Sequence, residues 1–98
     1  MADITVHQTK ERLQQAQVVD VREDNEVAQG RIPGARHIPL GQLGGRLAEL
    51  DRRQPVIAIC RSGNRSARAA ELLTAAGFTC DNMAGGMLAW QAAGLPTA

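Results

Sequence analysis

The chain has 98 residues, of which 44% are hydrophobic, and a formal net charge of +1 at neutral pH. This length suits one compact domain with a single apolar core, and we expect one domain over residues 1–98. The near-zero charge gives no support for a nucleic-acid-binding or membrane-surface protein, and no apolar run approaches the roughly 18 residues that a membrane-spanning helix needs.

The cysteine content bears on the compartment of the protein. Two cysteines, Cys60 and Cys80, are too few for the disulfide framework of a small secreted domain. The polar N-terminal stretch MADITVHQTK lacks the apolar segment of a signal peptide. We therefore expect a cytoplasmic protein, in which thiols stay reduced and a free reactive thiol is permitted.

The first third of the chain alternates strand-like and helix-like segments. Residues 4–6 predict a short strand, and residues 8–16 predict a helix with Thr9 as its N-cap. The segment QVVDV, residues 17–21, is β-branched and apolar on both faces, which is typical of a strand buried in a parallel sheet. The segment REDNEVAQG predicts a loop and a short helix that ends at Gly30.

The middle of the chain predicts two more strands. A short extended piece is expected near His37–Ile38, between two prolines. Leu43, Leu47 and Leu50 then fall on one helical face, although nearby glycines weaken the start of that helix. The segment PVIAI, residues 55–59, is a continuous apolar run opened by proline and predicts a buried strand.

The last third of the chain completes the alternation. Residues 65–76 are rich in Ala and Leu and predict a helix closed by Gly77, where a left-handed cap is favoured. The segment FTCDN predicts a short strand, and GGMLAWQAAG predicts a closing helix. This order indicates an α/β fold with a parallel sheet, helices on both faces and right-handed crossovers. Sites in such sheets lie at the carboxyl ends of strands, and Cys60 lies at one of them.

The segment CRSGNRS surrounds Cys60 with groups that stabilise negative charge. Arg61 and Arg65 lie on either side of Gly63, in a short loop whose backbone N–H groups are expected to converge as an anion nest. The helix that follows adds a partial positive charge. Gly63 permits positive φ, and Asn64 tolerates it. Such surroundings lower the pKa of a cysteine, so the pattern predicts a thiolate that attacks a small anion.

Three blocks of the chain together resemble the rhodanese (thiosulfate sulfurtransferase) family. CRSGNRS is similar to the persulfide-carrying loop of its single-domain members, VVDVREDNEVAQGRIPGARHIPL to its first block, and NMAGGMLAWQAAGLP to its closing block. The resemblance covers nearly the whole chain. It implies a rhodanese-like α/β fold with a central five-stranded parallel sheet flanked by helices on both faces. Arg31 and Ala84 depart from the family pattern and leave the substrate preference open.

The resemblance also implies a mechanism. The Cys60 thiolate attacks the outer sulfur of thiosulfate, sulfite leaves, and an acceptor then removes the sulfur from the Cys60 persulfide. Cyanide, a small thiol or a thioredoxin-like protein could each be the acceptor. No metal or organic cofactor is indicated. The residues that the resemblance assigns to substrate binding are Arg61, Ser62, Gly63, Asn64, Arg65 and Ser66.

Two alternatives to a sulfurtransferase remain. A non-catalytic rhodanese-like module would use the same loop for binding or sulfur relay. A small cysteine phosphatase or arsenate reductase would use the spacing Cys-x5-Arg, whereas this chain has four residues between Cys60 and Arg65. The shorter loop favours sulfur chemistry over phosphate chemistry.

Residues outside the loop receive structural interpretations. Asp20 and Arg22 are two apart at the end of a strand, hence on the same side, and predict a buried pair that anchors neighbouring loops. Cys80 predicts a small buried apolar side chain, with a resolving thiol as the alternative. Arg68 predicts a surface residue that could pair with Glu71.

Overall fold

The sheet and its helices are seen in a computed structural model that describes all 98 residues. All strand pairings are parallel, and the strand order is first, fifth, fourth, second, third. This confirms the predicted five-stranded parallel sheet. The strands are β1 (Asp3–Ile4), β2 (Gln17–Asp20), β3 (Arg36–His37), β4 (Val56–Ile59) and β5 (Cys80–Met83). The helices are α1 (Val6–Glu11), α2 (Asp24–Val27), α3 (Leu40–Leu43), α4 (Asn64–Ala75) and α5 (Gly86–Ala92), with a 3₁₀ turn at Leu47–Glu49.

Strand β4 lies at the centre of the sheet, between β5 and β2. All four of its side chains are fully buried, which requires the continuous apolar run that the sequence has there. Asp20 of β2 is in register with Ile59 of β4, so the two strands end level with each other. The residues that follow β4 therefore share one edge of the sheet with the loop that follows β2.

Apolar side chains form two clusters, one on each face of the sheet, and alternate residues of β4 belong to different clusters. One cluster contains Ala69, Ala70 and Leu73 of α4. The other contains Met87 and Trp90 of α5. All five side chains are at most 2% exposed. Helices therefore cover both faces, as predicted.

The N-terminal helix differs from its prediction. It begins at Val6 and ends at Glu11, and its N-cap is Thr5 rather than Thr9. The hydroxyl of Thr5 accepts from the backbone N–H of Gln8 at 3.0 Å, and the Gln8 side chain accepts from the Thr5 N–H at 2.8 Å. This reciprocal capping box fixes the helix start and ends the preceding strand at Ile4. Thr9 is instead buried inside the helix.

Two other helical predictions are too long. The leucines from 43 to 50 do not share one helix, because α3 ends at Leu43 and a separate 3₁₀ turn follows. Glycines at 44 and 45 separate the two, in keeping with the low helix propensity of glycine. Leu43 and Leu50 are nevertheless both buried. Helix α2 ends at Val27, before Gly30, which has a φ of +133°.

Helix α4 agrees closely with its prediction. It begins at Asn64, one residue earlier than expected, and Gly77 follows it with the expected positive φ, at +96°. No helix in the chain is both long enough and apolar enough to cross a membrane.

Candidate active site

The candidate site begins where β4 ends. Cys60 is the next residue, its side chain is 1% exposed, and α4 starts at Asn64. The chain therefore reverses within three residues, and Gly63 makes this possible with a φ of +107°. A Cβ at Gly63 would also lie 3.3 Å from the backbone nitrogen of Gly85. The expected positive φ is thus found at Gly63, whereas no residue other than glycine has one.

Two hydrogen bonds reach the sulfur of Cys60. The backbone N–H of Gly63 donates at 3.1 Å, and the hydroxyl of Ser66 lies at 3.3 Å. Burial by itself raises the pKa of Cys60, but bonds from the Ser66 side chain and from the backbone of Ser66, Gly63 and Ser62 outweigh it, so the pKa falls below the usual value of a thiol. The loop therefore favours the thiolate form.

The start of α5 holds the other side of the Cys60 loop. The N–H of Met87 donates to the carbonyl oxygen of Cys60 at 2.8 Å, and the N–H of Leu88 donates to that of Arg61 at 3.1 Å. Gly86 allows this close approach, since a Cβ there would lie 2.4 Å from the carbonyl carbon of Arg61. With its carbonyls turned toward α5, the loop is free to direct N–H groups at the sulfur.

Ser66 connects the sulfur to β5. Its hydroxyl lies 2.5 Å from Oδ1 of Asn82, and Nδ2 of Asn82 donates to Oδ1 of Asp3 at 3.1 Å. Ser66 and Asn82 are both buried. Sequence reasoning found Ser66 as a loop residue but missed Asn82 and Asp3. Asn82 reaches the site because β5 is the neighbour of β4, and Asp3 because β1 is the neighbour of β5.

Arg65 is held by a carboxylate of the protein itself. Its guanidinium makes two bonds to Glu26 of α2, at 2.6 and 2.7 Å. The bond from Arg65 is the largest cause that lowers the pKa of Glu26 to about 2, and the same bond raises the pKa of Arg65. Glu26 was not predicted as a site residue. The pair ties α2 to the first turn of α4.

We expect Glu26→Gln to lower the free energy of unfolding near pH 7 by about 1–2 kcal/mol, a value reduced for the partial exposure of both partners. Because the folded pKa is depressed, the contribution is complete above the ordinary carboxyl pKa of 4.5 and is lost as pH falls toward about 2. The free energy of unfolding, measured in urea, should differ between variant and wild type near pH 7, and this difference should be smaller near pH 3. Glu49→Gln removes a more exposed carboxylate paired with Arg46, and an equal loss in that control would contradict the role given to Glu26.

The remaining cations of the loop region lie at the surface. Arg61 is exposed and makes no ion pair. It borders a depression of about 280 Å³ that Glu26 and Leu88 also line. Arg68 is exposed as predicted, but it does not pair with Glu71. The free guanidinium at the mouth of the site is therefore that of Arg61.

Ser62 and Asn64 complete the predicted set. Both side chains are exposed, and Asn64 forms the first residue of α4. The backbone of Ser62 contributes to the lowered pKa of Cys60. Of the six loop residues predicted to bind substrate, the structure thus brings Gly63 and Ser66 to the sulfur and leaves the side chains of the others at the rim.

The loop after β2 is anchored by a buried ion pair, as predicted. Arg22 makes bidentate contact with Asp20, with the shortest bond at 2.8 Å, and both side chains are at most 5% exposed. Arg22 also donates to the carbonyl oxygens of Glu26 and Gly30. This network supports the segment that carries Glu26.

Cys80 lies far from Cys60. It is in register with Val56, the first residue of β4, so about four residues or roughly 13 Å of strand separate the two cysteines. Cys80 is 2% exposed, and burial raises the pKa of its thiol to about 12. These properties agree with a buried apolar side chain and give no support to the alternative of a resolving thiol.

A larger cleft of about 720 Å³ lies near the opposite edge of the sheet, by the start of β2, where Leu13, Gln17 and Arg36 are among its lining residues. It contains no cysteine, histidine or carboxylate. The smaller depression is lined by Arg61, the residue after Cys60, and by Met87, whose N–H donates to the Cys60 carbonyl oxygen, so it is the one that adjoins the Cys60 loop.

Comparisons with known proteins place the sequence and the fold in a family. A family model described as a rhodanese-like domain matches residues 5–93. A sulfurtransferase of Allochromatium vinosum is 39% identical over 80 residues, which cover 81% of this chain and 75% of that protein. Thiosulfate sulfurtransferase GlpE of Pseudoalteromonas translucida is 36% identical over 93 residues, covering 92% of this chain and 89% of GlpE.

Similarity also extends to a regulator and to a solved structure. HTH-type transcriptional regulator Rv0324 of Mycobacterium tuberculosis is 40% identical over 81 residues, which are 81% of this chain but 36% of the regulator. The crystal structure of a rhodanese-related protein from Thermoplasma volcanium has a TM-score of 0.95 and 32% identity, and the match covers 100% of this chain and 98% of that one. From the match over residues 5–93 and the similarity in sequence and fold, this chain belongs to the rhodanese-like domain family.

Proposed function

We propose that this protein is a thiosulfate sulfurtransferase that carries sulfur as a persulfide on Cys60. The observation that carries the proposal is the buried Cys60 sulfur, which accepts from the Gly63 N–H and lies beside the Ser66 hydroxyl at the start of α4. These donors stabilise a thiolate, and the same groups suit the terminal sulfur of a persulfide. The relatives named as sulfurtransferases support this choice.

The proposed reaction has two displacements. The Cys60 thiolate attacks the outer sulfur of thiosulfate, a new S–S bond forms, and sulfite leaves with the electron pair of the broken S–S bond. Cyanide or a thiolate then attacks the outer persulfide sulfur and restores the Cys60 thiolate. No external oxidant is needed, and the covalent intermediate predicts ping-pong kinetics.

The two loop arginines have different proposed roles. Arg61 is exposed and unpaired, so its guanidinium is available for the sulfonate oxygens of thiosulfate through charge-assisted bonds. Arg65 is already bonded twice to Glu26, and it therefore supports the loop instead of binding the anion. This revises the sequence-based hypothesis that both arginines hold the substrate.

We expect Arg61→Ala to lower kcat/KM for thiosulfate by about 10- to 100-fold, mainly through KM, since one or two bonds to a charged group are lost. Arg68→Ala is the matched control, because Arg68 is also exposed and unpaired but lies in the second turn of α4 and does not line the depression that Arg61 borders. Initial rates of thiocyanate formation at varied thiosulfate concentration give kcat and KM for both variants. If Arg65→Ala raises KM and Arg61→Ala does not, the assignment of the two arginines is wrong.

Acceptor and compartment are further parts of the proposal. The depression that Arg61 lines, next to the Cys60 loop, holds about 280 Å³, enough for cyanide or a small thiol. A thioredoxin-like protein could instead present a cysteine at its mouth. Both cysteines are free, which suits the reducing cytoplasm that we propose as its location.

The proposed function is tested by steady-state kinetics. Rates of thiocyanate formation are measured with both thiosulfate and cyanide varied, and parallel double-reciprocal lines are expected for the double displacement. Hydrolysis of an aryl phosphate is measured alongside. Phosphate release without thiocyanate formation would favour the phosphatase alternative, and no turnover of either substrate would favour a binding module.

A further inference from the structure

The hydroxyl of Ser66 has one proton and two neighbours that can accept it. Oδ1 of Asn82 lies at 2.5 Å, and the sulfur of Cys60 lies at 3.3 Å. A serine hydroxyl donates only one hydrogen bond at a time. Cys60 and Asn82 are 1% and 4% exposed, so neither acceptor is readily compensated by bulk water when the proton points to the other.

The orientation of Asn82 is fixed by its second contacts. Its Nδ2 group donates to Oδ1 of Asp3 at 3.1 Å and to the carbonyl oxygen of Gly63 at 3.3 Å. A carboxylate oxygen and a backbone carbonyl both accept and cannot donate, so the amide nitrogen must face them. The side-chain oxygen of Asn82 is therefore the atom that faces Ser66.

We propose that Asn82 is a positioning residue that competes with the Cys60 sulfur for the single proton of the Ser66 hydroxyl. With Cys60 as a thiol, its S–H donates to Ser66, Ser66 donates to Asn82, and every group is satisfied. With Cys60 as a thiolate, the hydroxyl turns to the sulfur, and the Asn82 oxygen loses its donor. Asn82 thus favours the uncharged states of the Cys60 sulfur and restrains formation of the free thiolate.

This competition has a consequence for sulfur transfer, which rests on the proposed function. When Cys60 carries a second sulfur atom, the negative charge moves to the outer atom, and the inner sulfur no longer needs the Ser66 proton. The hydroxyl can then return to Asn82. The Ser66 hydroxyl therefore donates to the sulfur when Cys60 is a thiolate and to Asn82 when Cys60 carries a persulfide. Persulfide formation is favoured because it restores the hydrogen bond to the Asn82 oxygen.

Other charges surround this hydrogen-bonded chain and act on the same sulfur. The surrounding groups are two ion pairs whose charges largely cancel, one further anion and one further cation. They are the Asp20–Arg22 pair after β2, the Glu26–Arg65 pair between α2 and α4, Asp3 on β1, and Arg61 in the loop. The substitutions proposed below remove none of these charges, although Asn82→Leu removes the bond that Asn82 donates to Asp3.

The test is the pH profile of Cys60 alkylation by iodoacetamide in the free protein. Ser66→Ala should move the midpoint to higher pH by about one pH unit, because the thiolate loses a donor. Asn82→Leu, of similar volume, should move it the other way by about half a unit or more, because Ser66 then donates to the sulfur alone. Ser66→Thr keeps the hydroxyl and should keep the wild-type profile.

A double variant gives the decisive comparison. In a Ser66→Ala background, Asn82→Leu should produce no further shift, since the proposed competition requires the hydroxyl. An effect through the bonds from Asn82 to Asp3 or Gly63 would persist in that background. Asp81→Asn is the control on the same strand, because Asp81 pairs with Arg12 and makes no hydrogen bond to Cys60, Ser66 or Asn82. After trypsin digestion the two cysteines fall on different peptides, residues 54–61 and 69–98, so Cys60 is read alone.

Two results would overturn the proposal. One is a shift of the same sign for Asn82→Leu and Ser66→Ala, and the other is an Asn82 shift that persists without the hydroxyl. Asn82→Ala replaces Asn82→Leu if circular dichroism shows that the latter is unfolded. Alkylation needs neither thiosulfate nor cyanide, so a failure here and a failure of sulfur transfer are seen separately.

Discussion

Cys60→Ser is expected to lower kcat for thiocyanate formation by about 1,000-fold or more, because the covalent route is lost. A serine hydroxyl keeps the size of the side chain, but it is not ionised near neutral pH and cannot carry a sulfane sulfur. The loop donors from Gly63 and Ser66 would remain in place. The measurement is the rate of thiocyanate formation by wild type and variant at saturating thiosulfate and cyanide.

Cys80→Ala is the matched control for the proposed nucleophile, Cys60. Cys80 lies at the other end of the strands, and burial raises the pKa of its thiol to about 12, so its loss should leave kcat near the wild-type value. Substantial turnover by Cys60→Ser together with loss of turnover in Cys80→Ala would show that the wrong cysteine has been assigned.

Gly86→Ala is expected to be the most disruptive single-methyl change in the site. The added Cβ would lie 2.4 Å from the carbonyl carbon and oxygen of Arg61 and 2.6 Å from the carbonyl oxygen of Cys60. These are backbone atoms that cannot move without moving the loop. A φ of +57° adds strain for any L side chain. We expect a loss of about 3 kcal/mol in stability and a large loss of activity, measured by urea unfolding and by thiocyanate formation.

Gly34→Ala separates the clash from the backbone strain. Gly34 also has a positive φ, at +80°, but a Cβ there would meet no atom within 4 Å. Its substitution should therefore cost only the strain, about 1 kcal/mol, and leave turnover intact. Equal losses for Gly34→Ala and Gly86→Ala would contradict the view that α5 packs against the Cys60 loop through Gly86.

The parts of the fold that the sequence predicts well are those with strong local patterns. Strand β4 is a continuous apolar run, and α4 is an Ala- and Leu-rich segment closed by Gly77. Together they place Cys60 between a strand end and a helix start. That position provides the Gly63 and Ser66 donors that lower the pKa of Cys60. The capping box formed by Thr5 and Gln8 was also local, and its T-x-x-Q pattern could have been recognised.

The contacts that the sequence does not predict are those between distant segments. Glu26 meets Arg65 across 39 residues, and Asn82 meets Ser66 across 16. Each pairing depends on strand order, which places β2 and β5 on either side of β4. Local patterns indicate that strands exist but not which ones are neighbours. The sequence therefore could not show that Arg65 is already bonded to a carboxylate, leaving Arg61 as the free cation.

The measurement that tests the account most directly is intact mass before and after incubation with thiosulfate, for wild type and Cys60→Ala. We predict that wild type gains the mass of one sulfur atom, that cyanide removes it, and that Cys60→Ala gains nothing. A wild-type protein that gains no sulfur would contradict the thiosulfate persulfide mechanism, and so would a gain of equal size in Cys60→Ala.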